Sequence, residues 1–351
     1  MTLSTCLVTG GAGFIGCALS HLLVKKFDRY VVIDNLHPQV HAEQKCPQAL
    51  HSDAELIVAD VSEPQAWQDL LADITPTTVV HLAAETGTGQ SLTEGSRHAR
   101  VNVEGTTQML DALGRAGIVP DHLVLSSSRA VYGEGTWQAS DGSRFHPGQR
   151  THAQLERKEW DFSGARPLPS RAATTAPSPT SIYGATKLAQ EHIIRAWALS
   201  RSVPCSILRF QNVYGPGQSL INAYTGIVVL FSRWARASQA IPVYEDGAIV
   251  RDFVYIDDVA QALETTVLLR PESSCLLDIG SGQATTIFEL ATHLARLYQA
   301  PPPIICERYR DGDVRSASCD ISDAFEAIGW QPRHSLADGL AALKLWIEDK
   351  L

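Results

Sequence analysis

The chain opens with "TCLVTGGAGFIG", residues 5–16. An apolar run is followed by Gly10, Gly13 and Gly16 in the spacing G-x-x-G-x-x-G, and then by a helical pattern. Glycines at a strand-to-helix junction permit a tight turn and close approach of the backbone to another group. The following helix start leaves amides free to meet an anion. Such a junction works where the strand lies in a parallel sheet and the helix crosses back over it. The rest of the chain repeats that unit. Strands are expected at Cys6–Thr9, Tyr30–Ile33, Glu55–Ala59, Thr78–Leu82, His122–Ser126 and Cys205–Phe210. Helices are expected near Phe14–Lys26, Pro64–Ala72, Arg97–Ala116 and Tyr183–Ser200. Val, Ile and Leu runs alternating with helical patterns argue for βαβ units covered by helices.

After Phe210 the pattern is less regular. Helices are expected near Tyr224–Ala237, Asp257–Leu269, Ile287–Tyr298 and Ser335–Asp349, with strands at Ile241–Tyr244 and Leu276–Ile279. The expected class is α/β: a Rossmann-type doubly wound parallel sheet with a smaller C-terminal α/β substrate-binding domain. Residues 1–208 form the first domain, with 134–180 as an extended insert and part of 236–270 returning to it. Residues 209–351 form mainly the second. The stretch from Gly133 to Thr180 is rich in Gly, Pro, Ser and Thr and has little periodicity. Loops beyond about 12–15 residues are usually functional or disordered. This one leads straight to "SIYGATK" and reads as a partly ordered lid.

Composition excludes several classes. Net charge is −9 over 351 residues, and no Lys/Arg block forms a nucleic-acid footprint. No apolar run nears the ~18 residues that span a bilayer, and no signal peptide is expected. The seven cysteines are scattered and never form C-x-x-C. They read as reduced thiols in a cytoplasmic protein. No His/Cys/Asp/Glu cluster has metal-ligand spacing, and His81 in "VVHLAA" reads as a packed strand residue.

Asp34 closes the second strand, 18 residues beyond Gly16. A carboxylate there accepts hydrogen bonds from an adenosine ribose and repels a 2′-phosphate, so NAD is expected rather than NADP. Asp60 and Val61 end the third strand, where a carboxylate can meet the adenine amino group. With Asp34 go Asn35 beside it, Phe14 and Ile15 in the glycine loop, and Leu82, Ala83 and Ala84 after the fourth strand. In "SIYGATK", Tyr183 and Lys187 lie four residues apart on one helix face. A free phenol with pKa near ~10 is a poor base at neutral pH. A nearby ammonium and a cationic nicotinamide favour the phenolate, and Lys187 can also hold the nicotinamide ribose. Ser128, in "LSSSRAVYG", can hydrogen-bond a substrate oxygen beside the phenol.

In this order the motifs resemble the extended short-chain dehydrogenase/reductase family, within it the sugar-nucleotide epimerases and dehydratases. The resemblance runs from "TGGAGFIG" through "HLAAETGTGQS", "VNVEGT", "LSSSRAVYG", "YGATK" and "RFQNVYGPGQ" to "RDFVYIDDVA" and "RDGDV". It implies catalytic roles for Ser128, Tyr183 and Lys187, and places Asn102 at the active-site end of the NAD cleft. It implies that Asn212, Arg251 and Arg310 hold a nucleotide diphosphate, with Asp313 near its ribose. Thr86 and Arg129 join the expected substrate contacts, and a homodimer pairing helices near Arg97–Ala116 and Tyr183–Ser200 is implied.

The dehydratases of this family carry an acid just after the catalytic Ser or Thr, whereas this chain has Arg129 and Ala130. Elimination of water then lacks its general acid/base, and a self-contained cycle at C4 remains, with tightly held NAD+. Through "QNVYGPGQSL" and "NAYTGI" the chain is most similar to the dTDP-L-rhamnose 4-epimerases. Many members of that group carry cysteine pairs in the segment before "SIYG", suggestive of a small metal knuckle. Here no cysteine lies between Cys46 and Cys205. Other sugar-nucleotide activities stay open: a UDP-hexose or UDP-uronate 4-epimerase, a decarboxylase or a 4,6-dehydratase. More remote is a non-catalytic NAD(P) sensor, a class that commonly loses the Tyr or Lys kept here. The loop Glu85–Ser91 and the residues around Gln218 to Thr225 are expected to shape the sugar pocket.

Overall fold

Seven strands form one sheet in the computed structural model, which describes residues 3–220 and 226–351. They are β1 (Thr5–Thr9), β2 (Arg29–Asp34), β3 (Glu55–Val58), β4 (Thr78–His81), β5 (His122–Ser128), β6 (Cys205–Phe210) and β7 (Cys275–Ile279). Their order is β7-β6-β5-β4-β1-β2-β3, and every neighbouring pair is parallel. β1, β4 and β5 are buried from end to end, which is why they read as unbroken apolar runs. β3 stands at the edge and is mostly exposed.

Alternation along each strand sends successive side chains to opposite faces. Val8, Val32, Val80, Val124 and Leu208 meet Leu19 and Leu23 of α1 (Phe14–Leu23) and Val259, Leu263 and Val267 of the helix Ile256–Leu269. Leu7, Val31, Val79, Leu123 and Ile207, each one residue earlier, face Trp67, Met109, Leu113 and Ile194 on the other side. Each such side chain contributes about 1.5–3 kcal/mol by leaving water. The helices on that second face are α2 (Pro64–Asp73), α3 (Gly105–Arg115) and α4 (Ile182–Ser200).

The strand expected at Leu276–Ile279 returns to the large sheet as β7, and Ile328 and Trp330 also pack on that sheet. A separate apolar core joins Phe231, Ile241, Phe253, Leu290, Leu294, Leu343 and Ile347. The helix expected near 224–237 is described as Ile227–Arg236; residues 221–225, part of the expected pocket-shaping stretch, lie outside the described residues.

Two local departures from the sequence reading have physical causes. The single helix expected over 97–116 is interrupted by a π-helical turn at Ala99–Glu104 before α3. Wider turns of this kind re-aim a side chain without ending the helix. Asn102 lies in that turn, fully buried. The segment expected to be a partly ordered lid is folded and anchored. Trp137–Ala139 pairs antiparallel with Arg144–Phe145 and Ala165–Pro167, and a short helix covers His152–Glu156. Trp137 is buried, packs edge-on against Phe162 at 4.8 Å, and donates Nε1–H to the Glu134 carbonyl at 3.1 Å. A run without periodicity can thus fold when its own aromatic and buried charged side chains supply the anchors.

Candidate active site

A cavity of about 710 Å³ opens at the C-terminal ends of the strands, beside β1 and β4, where the strand order reverses. Open α/β sheets bind ligands at such a switch point. Its floor is the glycine loop. Gly10 has φ +66°, and a Cβ there would stand 2.6 Å from the Ala83 amide nitrogen. A Cβ on Gly16 would stand 2.4 Å from Gly11 Cα, so α1 begins as close to the loop as backbone permits. Asp34 Oδ2 accepts the Ala12 N–H at 3.1 Å and Oδ1 the Leu36 N–H at 2.9 Å, which ties the second strand's end to the loop. Asp60 Oδ2 accepts from Asn35 Nδ2 at 3.0 Å.

Gly10, Gly13, Phe14, Ile15, Gly16, Asp34, Asn35, Asp60, Val61, Leu82, Ala83, Ala84 and Thr86 all line this cavity. So do Ser128, Tyr183, Lys187 and Asn212. The structure thus brings together residues spread along the chain from Gly10 to Asn212. Ser181 caps α4 by accepting the Gly184 N–H at 3.0 Å, which fixes where Tyr183 and Lys187 enter the site.

Lys187 is buried, and its Nζ has no hydrogen-bond partner among the described residues. Burial pushes its pKa down to about 7, against the pull of Glu191 one helical turn on. Burial raises the Tyr183 phenol above its ordinary value, while a Ser128 hydrogen bond and the Arg129 charge draw it back. The Ser128 hydroxyl also accepts the Ala130 N–H at 3.2 Å. An unpartnered ammonium in a cleft is costly unless a ligand's oxygens meet it. The glycine cradle, the Asp34 carboxylate and this lone Nζ together fit a dinucleotide with ribose hydroxyls at both ends.

A second, smaller pocket is lined by Thr88, Arg129, Ala130, Thr180, Ser181, Arg251, Gly312, Asp313 and Val314. Arg129 donates Nε–H to Asn212 Oδ1 at 2.9 Å, which links the two cavities. Burial, with the Arg251 charge nearby, pushes the Arg129 pKa down to about 9, still charged at neutral pH. Burial likewise lowers that of Arg251. Arg251 is buried and Arg129 half-buried; two such guanidiniums suit an anion of two phosphates, which this pocket, of about 10 Å³, admits only by widening.

Two expected contacts lie elsewhere. Asn102 lines neither cavity: its Oδ1 accepts the Glu85 N–H at 2.8 Å and its Nδ2 donates to the Glu85 carbonyl at 3.0 Å and to Thr186 Oγ1 at 2.9 Å. Its amide is spent on bracing the cavity wall from behind. Arg310 is exposed and lies over the Tyr244 ring at 5.1 Å, and it lines neither cavity. His81 is packed inside the strand layer, with Nδ1 2.6 Å from Thr9 Oγ1, and burial holds its pKa down at about 3. Among the described residues no group of His, Cys, Asp or Glu is arranged to hold a metal ion, and no helix is long and apolar enough to cross a membrane. Thr88 lies in the loop Glu85–Ser91 expected to shape the sugar pocket, whereas Ser181 and Val314, not among the expected contacts, reach the second pocket through chain folding that no local pattern signals.

The model of the NAD dependent epimerase/dehydratase family matches residues 6–154 and 161–273. A dTDP-L-rhamnose 4-epimerase of Burkholderia thailandensis is 59% identical over 345 residues, covering 98% of this chain and 95% of that protein. The Thermotoga maritima UDP-glucose 4-epimerase, solved with UDP-glucose, superposes with a TM-score of 0.80 at 27% identity, covering 99% of each chain. MoeE5, solved with UDP-glucuronic acid and NAD, gives a TM-score of 0.76 at 28% identity over 99% of this chain and 100% of that one. Glycine cradle, switch-point cavity, Tyr-x-x-x-Lys helix and these likenesses agree: the chain belongs to the NAD dependent epimerase/dehydratase family.

Proposed function

We propose that the protein is an NAD-dependent sugar-nucleotide 4-epimerase that inverts C4 of dTDP-L-rhamnose or a close dTDP-6-deoxyhexose. The observation that carries this reading is the placement of Tyr183, Ser128 and the unpartnered Lys187 on one cavity with the glycine loop, followed by Arg129–Ala130 where elimination would need a carboxylate. The 59% identity to a dTDP-L-rhamnose 4-epimerase supports the choice of sugar.

Bound NAD supplies a reversible hydride acceptor, so an alcohol carbon can be oxidised and reduced again without net change. The protein's own part is proton handling and anchoring. Tyr183 as phenolate takes the proton of the sugar 4-hydroxyl and later returns it, while Ser128 steadies that oxygen. Lys187 favours the phenolate and meets ribose hydroxyls. Arg129 and Arg251 grip the diphosphate, with Asn212 and Asp313 beside them, so the sugar can turn about its phosphate linkage while the nucleotide stays. Glu85 and Thr86, braced by Asn102, border the reacting end of the cavity. The reading includes a homodimer through α3 and α4 and, from seven free cysteines, a reducing cytoplasmic setting.

The test is incubation with dTDP-L-rhamnose, UDP-glucose and dTDP-glucose in D2O, with product NMR and mass. An isomer of unchanged mass without carbon-bound deuterium, formed from dTDP-L-rhamnose, is expected. Loss of water with deuterium at carbon means a dehydratase and overturns the reading.

A further inference from the structure

Residues 306–315 lie in no strand, yet they carry Arg310 and Asp313 past the second pocket. Alternate residues of this strap are gripped by the insert. Lys158 pairs with Glu307. The rings of His152 and Trp160 lie against Tyr309 at 5.8 and 6.3 Å. His152 Nδ1 lies 3.0 Å from Asp311 Oδ1. Asp161 Oδ1 accepts from Arg315 Nε at 2.7 Å, and the Glu134 carboxylate accepts the Arg315 N–H at 2.8 Å.

At the centre is Arg150, whose side chain is fully buried. It donates Nη1–H to Glu245 Oε2 at 2.8 Å and to the Trp160 carbonyl at 3.1 Å, and Nη2–H to the Asp313 carbonyl at 2.8 Å. One planar guanidinium therefore ties insert, C-terminal core and strap into a single arrangement, which a point charge on a flexible stem cannot reproduce. Other groups of the strap meet the C-terminal core and the pocket: the Arg308 carbonyl accepts the Glu245 N–H at 2.7 Å, Arg310 lies on Tyr244, and Gly312, Asp313 and Val314 line the pocket.

We propose that the segment 133–180 is a fixed positioning element of the substrate side, and that Arg150 is the positioning residue through which it sets where Asp313 and its neighbours stand. This rests on the reading of the second pocket as the sugar-nucleotide site. It predicts a defect in substrate affinity rather than in the cofactor or the chemical step.

The test compares wild type, Arg150→Met, Arg150→Lys and the exposed pair His152→Ala with Lys158→Ala. Bound NAD, kcat, KM for the sugar nucleotide, and amide hydrogen exchange across 306–315 are measured in each. Expected for Arg150→Met is a KM raised roughly tenfold or more, kcat within about threefold, unchanged NAD content and faster strap exchange. Arg150→Lys recovers part of the KM, and the exposed pair raises it about two- to threefold. Wild-type KM and strap exchange in Arg150→Met overturn the proposal, as does a fall in kcat and NAD content with KM unchanged. If Arg150→Met does not fold, the exposed pair decides: unchanged KM and exchange overturn the proposal. If the wild type turns over no sugar nucleotide, the functional reading fails, whereas strap exchange in Arg150→Met still decides the positioning claim.

Discussion

Arg129 and Arg251 share one buried pocket, and neither forms a salt bridge among the described residues. Burial lowers both pKa values, helped at Arg129 by the Arg251 charge, while the Asp313 carboxylate offsets part of the loss in each. A diphosphate would satisfy both. Arg251→Ala and Arg129→Ala are each expected to raise KM about 10- to 100-fold, the cost of losing one charge-assisted hydrogen-bond donor. Pyrophosphate should compete with substrate in the wild type and inhibit Arg251→Ala about tenfold more weakly. Steady-state kinetics with added pyrophosphate check both.

Tyr183→Phe removes the proton carrier and keeps the ring. A fall in kcat of about 10²–10⁴ is expected, with bound NAD retained. NAD released on denaturing the purified variant separates this outcome from a folding defect.

Lys187 is expected to trade stability for function. Its folded pKa of about 7 lies below the ordinary lysine value of 10.5, so the unfolded chain binds the extra proton between them. Its destabilising contribution is full below pH 7, shrinks as pH rises, and vanishes above the unfolded value. Lys187→Met should therefore stabilise the ligand-free protein by roughly 1–3 kcal/mol at pH 6. The gain should be smaller at pH 9, while activity falls. Denaturant melts at the two pH values read the sign.

Gly10→Ala would force an L side chain to φ +66° and its Cβ against the Ala83 amide. Thermal melting should drop by several degrees, as expected for a loss of about 1–3 kcal/mol in a chain of this size. NAD content should fall with it, because Ala83 borders the cavity.

His152 is exposed and faces the Asp311 and Glu156 carboxylates and the Tyr309 ring. The Asp311 hydrogen bond, then its charge, raises the His152 pKa above the ordinary value. Its hold on the strap is thus complete below that ordinary value and is lost as pH rises through the folded one. KM should rise modestly between pH 6 and 8.5, and His152→Ala should flatten the profile. KM measured across that range at constant ionic strength checks it.

The large sheet was legible because β1, β4, β5 and β6 are buried from end to end and so read as apolar runs. The helix expected near Ile287–Tyr298 is found there, with Thr286 and Glu289 forming a capping box at its start. Glycine loop, Asp34, Tyr183 and Lys187 were legible because their work is local: a turn, a strand end, one helix face. What escaped depends on distant partners. Arg150 has no neighbour in sequence that marks it, because its partners Glu245 and Asp313 lie 95 and 163 residues away. Asn102 looked like a ligand contact, yet a π-helical turn, which leaves no mark in apolar periodicity, turned its amide into the wall. Arg310 sits in a readable motif, but stacking on Tyr244 governs where its side chain lies.

The strap's two sets of contacts separate two kinds of evolutionary change. Substitutions at Gly312, Asp313 and Val314 alter what a ligand in the second pocket meets. Substitutions at 307, 309, 311 and 315 loosen the wall without touching the ligand directly. A single-residue deletion in the strap would pull its anchors out of register with Arg150, His152 and Asp161. Lineages that change sugar preference are therefore expected to do so by substitution at fixed strap length.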